Sequence, residues 1–412
     1  MVPLSNDFSE PRSSRFLPIF LIIVATVSEP AFCTRTMDVS TAKFSVDLFK
    51  SIATASNNEN IVVSPFSVEA ALSMVLAGAK GSSKSQLQSS LGIDDSSIRS
   101  LTDKYRSINK ASDGYTLRSA NGLFADNKFQ LLPEYQRMIG SDFDAKISSV
   151  NFAQEAEQAR QDINKFVEEK TNGKISNLFA QGSLSTDTQL VLVNAVYFKA
   201  DWDKQFKKGS TTSQPFALAN GQNKNVQLMT MSDKFLYGES EVIGGAQVLE
   251  MRYKKGEASM IFLLPKEKNG FRAMVDGLTT SALNEALQSV FENKVEVFIP
   301  KFKATKEYQM NNHLQKLGIQ DVFSNSADLS GISGSPNLKI SKVVQKVFVE
   351  VDEKGTEAAA ATGIQIVPLM AIIEPEEPKV FRADRPFLYL IRHNPTSTVL
   401  FMGAVLDPTV DT

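Results

Sequence analysis

The sequence predicts a single large domain of the α+β class, and three features carry that prediction. Phe66 to Ala79 is apolar almost all round, the pattern of a helix buried on every side. Leu190 to Phe198 is a near-continuous apolar run, as an internal strand requires. Helical and strand signals alternate without a regular βαβ rhythm, and no linker, heptad run or repeat divides the 412 residues.

Taken from the N-terminus, residues 1–33 read as an export signal. Arg12 and Arg15 precede an apolar stretch from Phe16 to Val27, and short residues follow around Ala31 to Cys33. The stretch is too short to span a bilayer. Asp7 and Glu10 are atypical of the basic start of such a signal. No retention tetrapeptide follows Asp411-Thr412, so a secreted, extracellular protein is expected. A product begun at Met37 would lack the signal and stay inside the cell. Cys33 is the only cysteine and lies at the cleavage zone, which leaves the mature chain no disulfide, thiol nucleophile or cysteine zinc site. Each Asn-x-Ser/Thr candidate fails, the nearest being blocked by Pro395.

The rest of the chain, 38–408, reads as one domain. Its buried helix begins after Ser64-Pro65 and ends near Gly78 and Gly81. Ala156, Ala159, Ile163, Phe166 and Val167 fall at helical spacing, and Asn172-Gly173 stops that amphipathic helix. Val295, Val297 and Ile299 alternate along a strand that Pro300 ends. Val343 to Val351 is a further strand. Phe387 to Ile391 and Val399 to Val405 are two more, separated by Asn394-Pro395.

Composition narrows the chemistry. Forty-four Lys and Arg against forty-six Asp and Glu give a net charge of −2, which points to neither nucleic acid nor an acidic membrane as the main partner. Only His313 and His393 are present, one in a predicted helix and one beside a turn, and both read as surface residues. Neither lies near a G-x-S-x-G nucleophile motif, and two histidines make a poor metal site. The carboxylates form no evident constellation. The sequence therefore argues against an enzyme and implies no cofactor or metal.

The anomalous segment is 353–380, EKGTEAAAATGIQIVPLMAIIEPEEPKV. Ala358 to Ala361 favour helix, yet Gly355, Thr356, Thr362 and Gly363 enclose them in a stretch too short for a stable isolated helix. Ile364 to Ile373 is apolar, and Glu374 to Pro378 is an acidic, proline-bearing tail that belongs in water. Read as a strand, Thr356, Ala358, Ala360, Thr362 and Ile364 share one uncharged face. That periodicity permits burial under neighbouring helices but does not compel it. A flexible linker or a short helix fits the residues as well.

Six collinear motifs carry a resemblance to a known family. They are NIVVSPFS from Asn60, LVNAVYFKADW from Leu192, VFSNSADLSG from Val322, DEKGTEAAAAT from Asp352, FRADRPFLYLI from Phe381 and LFMGAVLDP from Leu400. The chain resembles the serpins along nearly its whole length after Val39. The resemblance implies three β-sheets, about nine helices and an exposed C-terminal reactive loop at about 353–380. It implies an inhibitor of serine proteases in which the target cuts the loop and forms an acyl-enzyme. The freed hinge then inserts into the central sheet. Glu353, Gly355, Thr356, Glu357, Ala358, Ala359, Ala360, Ala361 and Thr362 match the hinge. Ser64, Ser67 and Asn194 match the polar cluster beneath the opening sheet, and Trp202 matches the tryptophan at its top. Gln345 stands where many vertebrate members have histidine, which predicts a gate less sensitive to pH.

The family spacing, counted from Glu353, places the reactive bond between Leu369 and Met370. A Leu there suits chymotrypsin-like or elastase-like proteases, and no Lys or Arg occurs between Lys354 and Lys379 to suit a trypsin-like one. The loop is several residues longer than in familiar vertebrate members, so cleavage after Met370, Ala371 or Ile372 stays open. Cleavage after Met370 would put Leu369 second from the bond, a papain-like preference. A non-inhibitory carrier, storage protein or chaperone is the other alternative, although the small hinge residues favour inhibition. Lys84, Arg99, Lys104, Arg106 and Lys110 cluster where some serpins bind glycosaminoglycans, but Asp94, Asp95 and Asp103 interleave with them and favour an ordinary solvated face. The expected partner is thus a protease held covalently by a monomer. The QKVFVEVD run and the alanine-rich hinge look arthropod-like.

Overall fold

The computed structural model describes residues 39–356 and 377–410, all within one compact unit. The export signal, the hinge from Glu357 to Thr362 and the bond Leu369–Met370 lie outside the described residues.

Pro65–Gly78 is the buried helix the sequence predicts. Ser64 caps it by accepting from the Ser67 amide at 3.4 Å, and Pro65 occupies the first turn, where its missing N–H costs nothing. Every residue but Ala77 is buried. The helix packs on strands of two different sheets, Leu190–Asp201 and Thr398–Val405, which explains its lack of a polar face. The helix Phe152–Lys170 instead buries one stripe, including Ile163 and Val167, and ends where Asn172 and Gly173 turn left-handed at φ 52° and 74°.

Among the described residues, hydrogen bonding joins the strands of the expected three sheets into two continuous ones. One has nine strands, because the eighteen-residue strand Asn223–Ser240 pairs in succession with Thr212–Ala217, Phe291–Pro300 and Ala246–Arg252. A shorter strand would have left separate sheets. The other runs in the order Phe302–Gln309, Lys342–Val351, Gly355–Thr356, Leu190–Asp201, Thr116–Asp126, Lys146–Val150.

This six-stranded sheet is buried on both faces. Leu192, Val196 and Phe198 face the main core, whereas Val191, Val193 and Tyr197 face a second core shared with Phe152, Ile163 and Val167. The strand therefore reads as a continuous apolar run, the signal that located it. Its central pair is unusual. Leu190–Asp201 and Lys342–Val351 run parallel, while their other long neighbours, Thr116–Asp126 and Phe302–Gln309, are antiparallel to them.

Both histidines depart from the surface reading. His393 ends the strand Phe387–His393 and is buried, its Nδ1 2.7 Å from the Thr396 hydroxyl; His313 is half-buried with Nδ1 2.9 Å from Ser51 Oγ. Burial lowers the pKa of each. Turn chemistry after His393 hid the fact that the strand carries it into the interior.

Leu72 is fully buried in this helix and belongs to the main core, so truncating it leaves a cavity there. Leu72→Ala should destabilise the resting protein by about 3 kcal/mol, measured by chemical denaturation.

Candidate functional site at the seam of the central sheet

The two parallel strands meet directly over seven residue pairs, from Lys342 opposite Val191 to Phe348 opposite Tyr197. Above that point they part, and Gly355–Thr356 enters antiparallel to both, with Thr356 opposite Ala200 on one side and Val351 on the other. Glycine is required at 355. Its φ is +154°, and a Cβ there would lie 2.1 Å from the Ala200 carbonyl oxygen.

The chain before it is fixed by many partners. Trp202 donates from its backbone to Lys354 O at 2.7 Å and from Nε1 to Asp352 O at 3.0 Å. The Phe206 amide donates to Glu353 O at 2.9 Å. The Trp202 indole stacks on Tyr253 at 4.5 Å between centroids, and the Tyr253 phenol lies 2.8 Å from the Thr356 hydroxyl, which is fully buried. Burial raises the Tyr253 pKa well above its ordinary value, so the ring stays neutral.

Glu353 pairs with Lys301 at 2.9 Å and accepts from Thr211 Oγ1 at 2.9 Å. Burial opposes its charge, but the Lys301 ammonium, its own backbone N–H and the Thr211 hydroxyl outweigh that and hold the carboxyl below its usual range.

The second cluster lies lower on the seam, facing the buried helix. Gln345 donates from Nε2 to Ser64 O at 2.9 Å and to Asn194 Oδ1 at 2.6 Å, and its Oε1 accepts from the Ser64 amide at 3.1 Å. Asn194 donates to Ser67 O at 3.2 Å, to Ser67 Oγ and to Asn121 Oδ1 at 2.7 Å, and Asn121 donates to the Tyr105 hydroxyl at 2.6 Å. Gln345, Asn194 and Asn121 are opposite one another in register, one polar row across an apolar face.

The structure thus gathers the sequence-predicted residues into two groups. Trp202, Glu353, Gly355 and Thr356 form the upper one, and Ser64, Ser67, Asn194 and Gln345 the lower. Sequence reasoning missed Thr211, Tyr253 and Lys301 above, and Tyr105 and Asn121 below. Asn121 had a signal, as the one amide on a strand face it shares with Leu117, Ser119, Leu123 and Ala125. The others come from distant segments with no mark of their own. On the basic face, Lys84 pairs with Asp95 at 2.7 Å and Arg106 with Asp142 at 2.6 Å, as a solvated face would.

A family model described as serpin (serine protease inhibitor) matches residues 39–408. The chain belongs to the serpin family. Leukocyte elastase inhibitor A of Mus musculus is 42% identical to this serpin, across 89% of the chain and 97% of the relative. Uncleaved ovalbumin is similar in structure, with a TM-score of 0.80, 33% identity and coverage of 90% of this chain and 100% of that one. Serpin48 of the insect Tenebrio molitor gives 0.79 and 30%, over 89% and 97%. The vertebrate protein is nearer than the insect one, so the arthropod impression finds no support. The family match begins at Val39, so it gives no support to the export signal either.

Two outcomes follow. Gln345→Ala leaves the Ser64 amide and the Asn194 carbonyl oxygen without these bonds in a buried site. It should cost about 1–3 kcal/mol, read as a lower unfolding midpoint. Because the Glu353 pKa is depressed, its ion pair stabilises the fold above the ordinary carboxylate range and is lost as pH falls through the lowered value. Glu353→Gln should be less stable near neutral pH and should flatten the acid limb of a melting-temperature profile.

Proposed function

We propose that this serpin is a suicide substrate for serine endopeptidases, cut between Leu369 and Met370 and completed by insertion of its hinge. The observation that carries this reading is the lodging of Gly355–Thr356 between two parallel strands, antiparallel to each. Extending that register places Ala358 opposite Phe198 and Val349, Ala360 opposite Val196 and Val347, Thr362 opposite Asn194 and Gln345, and Ile364 opposite Leu192 and Val343. The existing pairs Val347–Val196 and Gln345–Asn194 are already aligned, so the new strand needs no slip. Nothing on its core-facing side is charged; of its two threonines, Thr356 already meets the Tyr253 hydroxyl and Thr362 falls at the polar row. Glu357 falls on the other face, beside Lys199 and Glu350.

In the reaction the protease serine adds to the Leu369 carbonyl. The peptide bond breaks, the Met370 amine leaves with a proton, and Leu369 remains esterified to the enzyme. Insertion then replaces seven parallel pairs by two antiparallel ladders while the ester carries the protease along. Leu369 and the name of the mouse relative both favour a chymotrypsin-like or elastase-like target. The protease is the only partner proposed, and the inhibitor acts as a monomer. With residues 1–33 as an export signal it meets its target outside the cell; begun at Met37, inside.

Mixing with chymotrypsin or elastase should give an SDS-resistant complex and release a C-terminal fragment beginning at Met370 by mass spectrometry. Thr356→Arg should be cleaved equally fast but leave active enzyme, with at least about a tenfold rise in inhibitor consumed per enzyme. Cleavage without complex in the parent would support the non-inhibitory alternative, and a complex with papain-like enzymes alone would move the reading to cysteine proteases.

A further inference from the structure

The outer face of the seam carries an arrangement that the insertion reading does not use. Phe348 and Tyr197 are the uppermost directly paired residues of the two parallel strands. Their rings meet across the seam with centroids 5.7 Å apart and planes at 50°. Both are nearly buried, in the second core. The Lys174 ammonium lies 6.0 Å from each ring centroid, and the Lys303 ammonium lies 5.3 Å from that of Phe348.

Lys174 is held there by the end of the Phe152–Lys170 helix. Gly173 N donates to Glu168 O at 2.8 Å, Lys174 N to Thr171 O at 3.1 Å, and the Thr171 hydroxyl to Val167 O at 2.7 Å. One cation over two rings that belong to different strands favours the closed seam. Its attraction to both depends on their being neighbours. Extending the hinge register puts Ala359 between Tyr197 and Phe348 on this face. A strand between them parts the two backbones by about a further 4.8 Å, and an ammonium kept at its present height over the seam, already 6.0 Å from each centroid, would then lie beyond the usual ~6 Å contact limit for the pair.

We infer that Lys174, Tyr197 and Phe348 form a latch on the seam that sets how fast the sheet opens, and so how an acyl-enzyme divides between trapping and hydrolysis. The inference rests on the insertion reading above. Lys174 is a positioning residue in this scheme, since it touches neither protease nor scissile bond. A weaker latch opens sooner, which favours trapping and shortens the life of the uncut inhibitor.

A synthetic peptide of residues 356–364 probes the seam without protease, because its uptake by the intact full chain measures opening directly. Lys174→Met should speed uptake about threefold, the effect of one exposed cation–ring contact, while Lys174→Arg should keep the parental rate. In a Tyr197→Leu/Phe348→Leu background, which itself opens faster, Lys174→Met should add nothing. With chymotrypsin, Lys174→Met should leave the association rate unchanged and consume no more inhibitor per enzyme than the parent does. An unchanged uptake rate in Lys174→Met would overturn the latch. So would an equal acceleration in the background without the rings, which would mean that Lys174 acts through its turn. Absence of uptake in every variant, together with absence of a complex, would instead overturn the insertion reading and take the latch with it.

Discussion

The structure depends on one mismatch of strand direction. Two long strands lie parallel at the centre of a sheet whose other long pairings in which they take part are antiparallel. Such a pair can accept a third strand between them that is antiparallel to both, and every backbone group of the newcomer then finds a partner. Gly355–Thr356 occupies the first position of that ladder. The turn before it satisfies the groups exposed where the strands diverge, through Trp202, Phe206 and the Asp352 carboxylate, which accepts from Lys354 N and Gly355 N at 2.8 and 3.2 Å.

On the insertion reading the sheet must stay closed at rest, and two groups of polar contacts hold it so. Above, the Glu353–Lys301 ion pair and the Tyr253–Thr356 contact fix the entry. Below, the row Gln345–Asn194–Asn121 links three strands to the capping residues of the buried helix. Such a network stabilises only when complete, because each amide left dry and unpaired carries the cost of its desolvation. Opening must therefore break several buried hydrogen bonds nearly together. Glutamine does this without a titratable group, so the row has no proton to gain in the range where an imidazole would.

Much of this was legible in residue order. The helix at 65–78 betrayed itself by having no polar face, and the strand at 190–201 by having neither a polar nor a charged side over most of its length. Gly355 and the alanines after it marked the segment as anomalous, but the residues alone fitted a linker or a short helix as well as a strand. The fate of His393 was not legible, since a turn dipeptide beside it suggested exposure while its strand runs through the core. Nor was the merging of sheets through Asn223–Ser240, because a long strand that changes partners looks the same in sequence as one that does not.

By itself the sequence determined the α+β class, the family through six spaced motifs, and the uncharged face of the hinge, because composition and period are local properties. Only the tertiary structure decided that the flanking strands are parallel, that Thr356 is already between them, and that Lys301, Tyr253, Asn121 and Tyr105 join the site. The physical reason is distance along the chain. Strand direction, register and ion pairing are fixed by segments tens to hundreds of residues apart, and no local pattern records which of them meet.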